Sequence, residues 1–125
     1  MLDVNAWVRN KLEASTALVA LLGSTDQIMF GYPNTFSILP IVTFTEMNQP
    51  HALFSDDTPT TVESFIQVDV WTDDSGTTSI AIAVDLIMIG LLWGCEYSSD
   101  VPEPDTKFRH RVMRYRRQLT AEDLV

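Results

Sequence analysis

The order of apolar and polar residues along the chain predicts most of its elements. In VNAWVRNKLEASTALVALLG, residues Val4, Trp7, Val8, Leu12, Leu18, Leu21 and Leu22 recur at three- and four-residue steps. That spacing places side chains on one face of an α-helix. Gly23 supplies a stop, and Ser15 and Thr16 are capping residue types, so the pattern predicts a helix with a break near residue 15. QIMFGY, 27–32, reads as a short β segment closed by the turn signal YPN. ILPIVTFTEM, 38–47, alternates from Pro40 onward and is rich in β-branched residues, which predicts a strand. Its proline has no N–H to give to a ladder and belongs at the strand start or on an edge.

TVESFIQVDVWTD, 61–73, is the clearest strand, with Ile66, Val68 and Val70 on one side and Phe65, Gln67, Asp69 and Trp71 on the other. The first side is core. The second, two aromatic residues flanking two polar ones, predicts a contact surface. Asp73, Asp74 and Ser75 are N-cap candidates for a helix over about 76–92. There Ile80, Val84, Ile87 and Leu91 form one stripe, while Ile82, Leu86, Ile89 and Leu92 leave little polar face. A helix apolar nearly all round is covered on more than one side, and the second cover is expected from another subunit. Asp85 interrupts the run, which is short for a bilayer and lacks flanking Lys or Arg, so the pattern predicts a buried helix and a soluble protein. TKFRHRVMRYRRQL, 106–119, alternates as a final strand, with Phe108, His110 and Val112 on one side and Lys107, Arg109 and Arg111 on the other.

The remaining stretches read as connections. Residues 48–60, NQPHALFSDDTPT, combine two prolines and the pair Asp56–Asp57 with the apolar Leu53 and Phe54, the composition of a mobile loop. GCEYSSD and the stiff VPEPDT precede the last strand, and residues 120–125 are expected to fray. Helices and strands mix without regular βαβ alternation. The expectation is a single α+β domain over 1–119, a mainly antiparallel sheet of about four strands with two helices packed on one face.

Composition agrees with one globular domain: 125 residues, 46% apolar and 20% charged. The N-terminus has no basic region followed by an apolar stretch, so no signal peptide is expected. Charge changes the picture more. The net charge is −9, yet KFRHRVMRYRR at 107–117 holds six of the eight Lys and Arg residues. Residues 1–106 carry 15 acids against two bases, a balance of −13. Such a body repels DNA, while the strip attracts it. The strip therefore has three readings: a grip on nucleic acid, a dock on an acidic protein surface, or neutralisation of its own fold. Glu63 and Asp69 can meet it across the sheet, whereas Arg114, Arg116 and Arg117 are expected to continue past the sheet edge.

Catalytic signatures are missing from the sequence. The single cysteine, Cys95, allows no internal disulfide and reads as a small buried residue at a helix end. As a nucleophile it would need a histidine, but His51 lies in the predicted loop and His110 amid arginines that oppose its protonation. Asp56–Asp57 and Asp73–Asp74 read as loop charges or caps. Glu96, Asp100, Glu103 and Asp105 lack EF-hand spacing, and there is no phosphate-binding glycine loop, CxxC or HExxH. The expectation is a protein that is not an enzyme and has no cofactor or metal. Trp7 and Trp93 read as core residues, and Trp71 as an interface candidate.

In order and spacing, LVALLGSTDQIMFG, LPIVTF, FIQVDVWTDDSGTTSIAIAVDLIMIGLL and RVMRYR resemble the phage tail completion family. These are small proteins of long-tailed double-stranded DNA phages, also called tail terminator or head–tail joining proteins. The resemblance runs from about residue 4 to 117, and the 48–60 loop has no counterpart motif. It implies an α+β subunit that assembles into a hexameric ring at the head-proximal end of the tail tube. There the ring stops tube polymerisation and presents a surface to the head connector, with DNA only passing through. It also implies a place in the virion, at the head–tail interface, after assembly in the host cytoplasm. Candidate contacts to a neighbouring subunit or the tube are Phe54, Asp56, Asp57, Phe65, Asp69 and Trp71, with the cations Lys107, Arg109, Arg111, Arg114, Arg116 and Arg117. The rival expectations are another connector or head-completion component, or a nucleic-acid binder using the strip.

Overall fold

A computed structural model describes residues 1–55, 58–73, 75–103 and 107–124. The predicted break at residue 15 divides two helices, α1 (Val4–Glu13) and α2 (Thr16–Leu22). Ser15 Oγ accepts from the Leu18 N–H at 3.2 Å, satisfying one donor that a helix start leaves free. Gly23, at φ 100°, ends α2 in the left-handed region, where a side chain would be strained. A 3₁₀ turn at Thr25–Gln27 leads into β1 (Ile28–Phe30), and β2 (Ile41–Asn48) begins directly after Pro40, as a residue without an N–H requires. Buried Gln27 donates from Nε2 to the Pro40 carbonyl at 2.6 Å, closing the 31–40 segment at its base.

The expected loop at 48–60 instead contains a strand, β3 (His51–Ser55), which pairs antiparallel with β4 (Thr58–Thr72). Asp56 and Asp57 lie outside the described residues. GCEYSSD, read as a connection, is strand β5 (Gly94–Val101), and β6 (Arg109–Leu119) closes the sheet. Among the described residues the sheet therefore has six strands rather than about four, in the order β1-β2-β4-β6-β5 with β3 beside β4. It is mixed, because β1 runs parallel to β2 while the other pairs are antiparallel. The α+β class stands. Composition hid the extra strands: β3 follows Pro50 and pairs with a stretch of β4 that holds Pro59, and β5 is a largely exposed edge strand with no buried face to set an alternation.

Among the described residues three α-helices, not two, cover one face of the sheet. Val4, Trp7, Val8 and Leu12 of α1 and Leu18 and Leu22 of α2 join one core. Opposite them stand Val42, Phe44, Ile66, Val68, Val70, Met113 and Tyr115 from the central strands. The third helix, α3 (Thr78–Gly90), contributes Ile80, Ala81, Val84 and Met88. Its N-cap is Thr77 rather than the predicted Asp73 or Ser75, and no side chain caps it; Asp74, the third candidate, lies outside the described residues. Thr77 Oγ1 donates to Asp100 Oδ1 at 3.0 Å, tying the helix start to β5, while Asp73 accepts from the Ser75 N–H at 2.9 Å in the preceding turn. Residues Ala121–Leu124, expected to fray, form a 3₁₀ turn in which Asp123 accepts from the Thr120 N–H at 2.8 Å. That bond and the nearby Arg117 hold the Asp123 carboxyl below its ordinary pKa. Among the described residues, no helix is long and apolar enough to cross a membrane.

Candidate functional site

The cationic strip is β6, and the two-residue period of a strand sends alternate side chains to opposite faces. Arg109, Arg111 and Arg117 register with Thr72, Val70 and Ser64 on the helix-covered face. His110, Arg114 and Arg116 register with Trp71, Gln67 and Phe65 on the other. Arg114, Arg116 and Arg117 lie within the paired strand, not past the sheet edge as expected.

Most of the strip has partners within the chain. Arg111 donates from Nε to Ser98 Oγ at 3.1 Å and approaches Asp100 at 3.6 Å. Arg114 donates to Gln67 Oε1 at 3.1 Å and lies over the Tyr97 ring. Arg116 pairs with Glu63, approaches Glu96 at 3.9 Å and lies over Phe65. Arg117 reaches Asp123 at 3.4 Å and lies over Trp7. Among the described residues, Lys107 and Arg109 make no ion pair. Glu63 serves the strip as expected. Asp69, the other expected acid, goes to His110.

His110 is the group the sequence misrepresented. Its neighbours Arg109 and Arg111 point to the opposite face, so they do not surround the ring. Instead Nε2 donates to Asp69 Oδ2 at 2.6 Å and Nδ1 to Glu103 Oε1 at 3.0 Å. A carboxylate only accepts, so two carboxylates on two ring nitrogens describe an imidazolium. Burial of the ring works against that charge, but the hydrogen bonds and charges of Asp69 and Glu103 outweigh it, and the pKa is raised. The ring stacks on the Trp71 indole, centroids 3.6 Å apart, and Trp71 Nε1 donates to buried Thr43 Oγ1 at 3.1 Å. Tyr32 and Phe36 of the 31–40 segment close over Trp71 edge-on, and Phe36 stacks on Phe108. Trp71 and Asp69, expected to form contact surface, are therefore only 5% and 8% exposed, covered by their own chain. Phe65 and Gln67 on the same face are half-buried.

Beside this cluster a cleft of about 340 Å³ is lined by Asp100, Val101, Pro102, Glu103, Lys107, Phe108, Arg109 and His110. Both ring nitrogens of its histidine are already engaged, which leaves no free base on the ring. Cys95 is exposed on β5 rather than buried, and it pairs with Tyr115 while His110 pairs with Val101, so the two sit toward opposite ends of the strand pair. His51 stacks edge-on with Phe54 on β3. No group of three metal-ligating side chains occurs among the described residues.

The third feature is apolar. Phe54, predicted as a contact residue, is 60% exposed beside Leu53 at 54%. On α3 the row Ile82, Leu86 and Ile89, continued by Leu92, faces solvent at 56, 67, 54 and 73%. Asp85, beside the row, accepts from the Tyr115 hydroxyl at 2.8 Å and is turned toward the sheet. That bond, after burial, holds the Tyr115 hydroxyl well above its ordinary pKa.

No protein-family model matches this chain, and no curated protein matches it. Among solved structures it is similar to a chain of the virion of a native gene transfer agent (GTA) particle. The TM-score is 0.69 at 17% identity, covering 94% of this chain and 94% of that one. The likeness is one of fold, end to end.

Proposed function

We propose that this chain is a structural protein of a phage-type virion. Within that class the reading is a tail terminator, a homo-oligomeric and hexameric ring at the head-proximal end of the tail tube. It ends tube polymerisation and joins the tail to the head connector. The observation that carries the reading is the fold shared over 94% of both chains with a component of a gene transfer agent virion. Support also comes from the motif order LPIVTF, QVDVW and RVMRYR, and from a helix face left apolar on the surface. A non-enzymatic role fits the engaged histidine and the isolated cysteine. Electron microscopy of the purified protein, alone and with tail tubes, tests the reading. Six-fold rings seated on one tube end, with tubes that stop growing, are the expected result. Twelve-fold rings that bind heads but not tubes would instead indicate a connector component. A chain that stays monomeric in both conditions would end the ring reading.

A further inference from the structure

The His110 side chain ties two parts of the chain together through one ring. Nε2 meets Asp69 of β4 at 2.6 Å, and Nδ1 meets Glu103, just past the end of β5, at 3.0 Å. Val101, the last residue of β5, also pairs with His110 in the ladder. His110 and Glu103 both line the cleft of about 340 Å³. Only the charged ring can donate to both carboxylates, because a neutral imidazole has one N–H and its other nitrogen accepts. Loss of the proton therefore strands one of the two acids.

Burial decides which one. The Asp69 side chain is 11% exposed, and besides the ring it accepts from Gln67 Nε2, at Oδ1 and 2.8 Å. Taking the ring proton from its Oδ2 would leave a buried carboxylate oxygen bare, which is costly. The Glu103 side chain is 31% exposed and lines the cleft, where water can replace the ring as donor. The shorter bond and the deeper burial both favour Nε2–H, so the nitrogen left bare is Nδ1. There two acceptors, Nδ1 and a carboxylate, would face each other and repel. The other charged groups on the surrounding elements are engaged or set apart. Arg114, on the ring's own face, donates to Gln67, which donates to Asp69. Arg111 is taken by Ser98 and Asp100 on the opposite face, and Lys107 and Arg109 line the cleft. From 31–40, which packs on Trp71, Tyr32 is the one titratable side chain, and β2 contributes uncharged Thr43 beneath Trp71. Asp105 lies outside the described residues. Burial disfavours charge on the ring, but Asp69 and Glu103 outweigh it, so the proton leaves above the ordinary histidine pKa of about 6.5.

We infer that His110 is a proton-operated latch: the charged imidazole holds Glu103 and the end of β5, while the neutral one keeps Asp69 and lets Glu103 go. Release of Glu103 removes one wall of the cleft and leaves Nδ1 as a bare acceptor inside it. The latch belongs to the single chain and does not depend on the assembly proposed above. Long-range proton–nitrogen NMR of the full chain across the titration of His110 tests the first half. Both ring nitrogens should carry protons at the acidic end, and only Nε2 at the basic end. Hydrogen exchange of the Val101 and Glu103 amides, relative to an unstructured chain at each pH, tests the second half. It should rise about threefold to tenfold through the same titration, the range for losing a partly exposed, charge-assisted bond. Glu103→Gln should abolish that rise, because its amide can accept from Nδ1–H and donate to a bare Nδ1. Glu103→Ala should exchange at the faster rate on both sides of the titration. A neutral imidazole protonated at Nδ1 overturns the latch, and so does one that keeps both protons until the chain unfolds. Exchange that stays level in the parent, or a rise that Glu103→Gln shares with it, overturns the latch equally.

Discussion

β6 and the outer face of α3 are the two most conspicuous stretches of this sequence, and the fold treats them in opposite ways. The strip of β6 concentrates charge, and the chain meets most of that charge itself: Asp100, Gln67, Glu63 and Asp123 take the arginines, and Asp69 and Glu103 take the histidine. The α3 row concentrates apolar area, and nothing among the described residues covers it. The reason is physical. Cations 7 Å apart along a strand repel unless acids sit opposite, so a charged strand has to be solved within the subunit before it can serve another. An apolar row carries no such penalty in isolation and can wait for a neighbour. The feature that looked like a docking strip is mainly internal bookkeeping of charge. The face that was expected to be covered by another subunit is open in the single chain.

The largest expected effect comes from the two sides of the same helix. Met88 is fully buried and Leu86 is 67% exposed. Met88→Ala should lower unfolding free energy by about 2–5 kcal/mol, the lost transfer energy plus a cavity. Leu86→Ala should stay within about 0.5 kcal/mol in a monomeric sample. Urea melts at a concentration below assembly check both. If Leu86→Ala costs as much as Met88→Ala, the row is packed within the chain and the contrast collapses.

A smaller effect should separate the histidine cluster from the rest of the strip. The pKa of His110 is raised in the folded protein above an unfolded value of about 6.5. Its contribution to stability is therefore fully present below about pH 6.5 and fades as pH rises through the folded value. The groups that face the ring are Asp69 from β4 and Glu103 from the β5–β6 connection, with Lys107 and Arg109 lining the same cleft. Asp69→Asn removes one of the two carboxylates and should cost about 1–3 kcal/mol near pH 6. The loss should shrink as pH rises through the folded value, where the parent loses the charge that strengthens the same interaction. Melts across that range, with the ring protons of His110 followed by NMR, check the sign. An equal cost at both ends would mean that the ring is neutral throughout.

Much of the fold was legible because periodicity reports burial. Ile66, Val68 and Val70 alternate since one side of β4 is core, and Ser15 and Gly23 mark ends where the backbone needs a cap and a positive φ. What failed to show was structure without a burial pattern. β5 is exposed along most of its length, and β1 has three residues and joins the sheet in parallel, a pairing that depends on a distant segment. The cluster around His110 was hidden for a similar reason. Asp69 is 41 residues away in sequence, and only the β4–β6 register brings it opposite. The parity that turns Arg109 and Arg111 away was present in the strand pattern, however, and applied to His110 it removes them as neighbours. Trp71 was assigned to a contact surface because nothing local foretold that Tyr32 and Phe36 would fold back over it.

The smallest effect, and the one that most directly divides charge from apolar contact, concerns Arg116. Its side chain is 50% exposed, with Glu63 at 20% and Glu96 at 49% on its two ion pairs. Pairs so open to water are worth about 0–1 kcal/mol each. Arg116→Ala should therefore cost no more than about 1 kcal/mol at low salt, and less at high salt as screening removes what the pairs contribute. Assembly should respond to salt in the other direction. Each copy carries a net charge of −9, so copies repel, and an association driven by the α3 row should strengthen as salt screens that repulsion. A cationic strip docking on an acidic neighbour would instead weaken with salt. Sedimentation of the parent and of Arg116→Ala across a salt series reads both at once. Assembly that rises with salt and is unchanged by Arg116→Ala places the contact on the apolar row. Assembly that falls with salt and is lost in Arg116→Ala returns it to the strip.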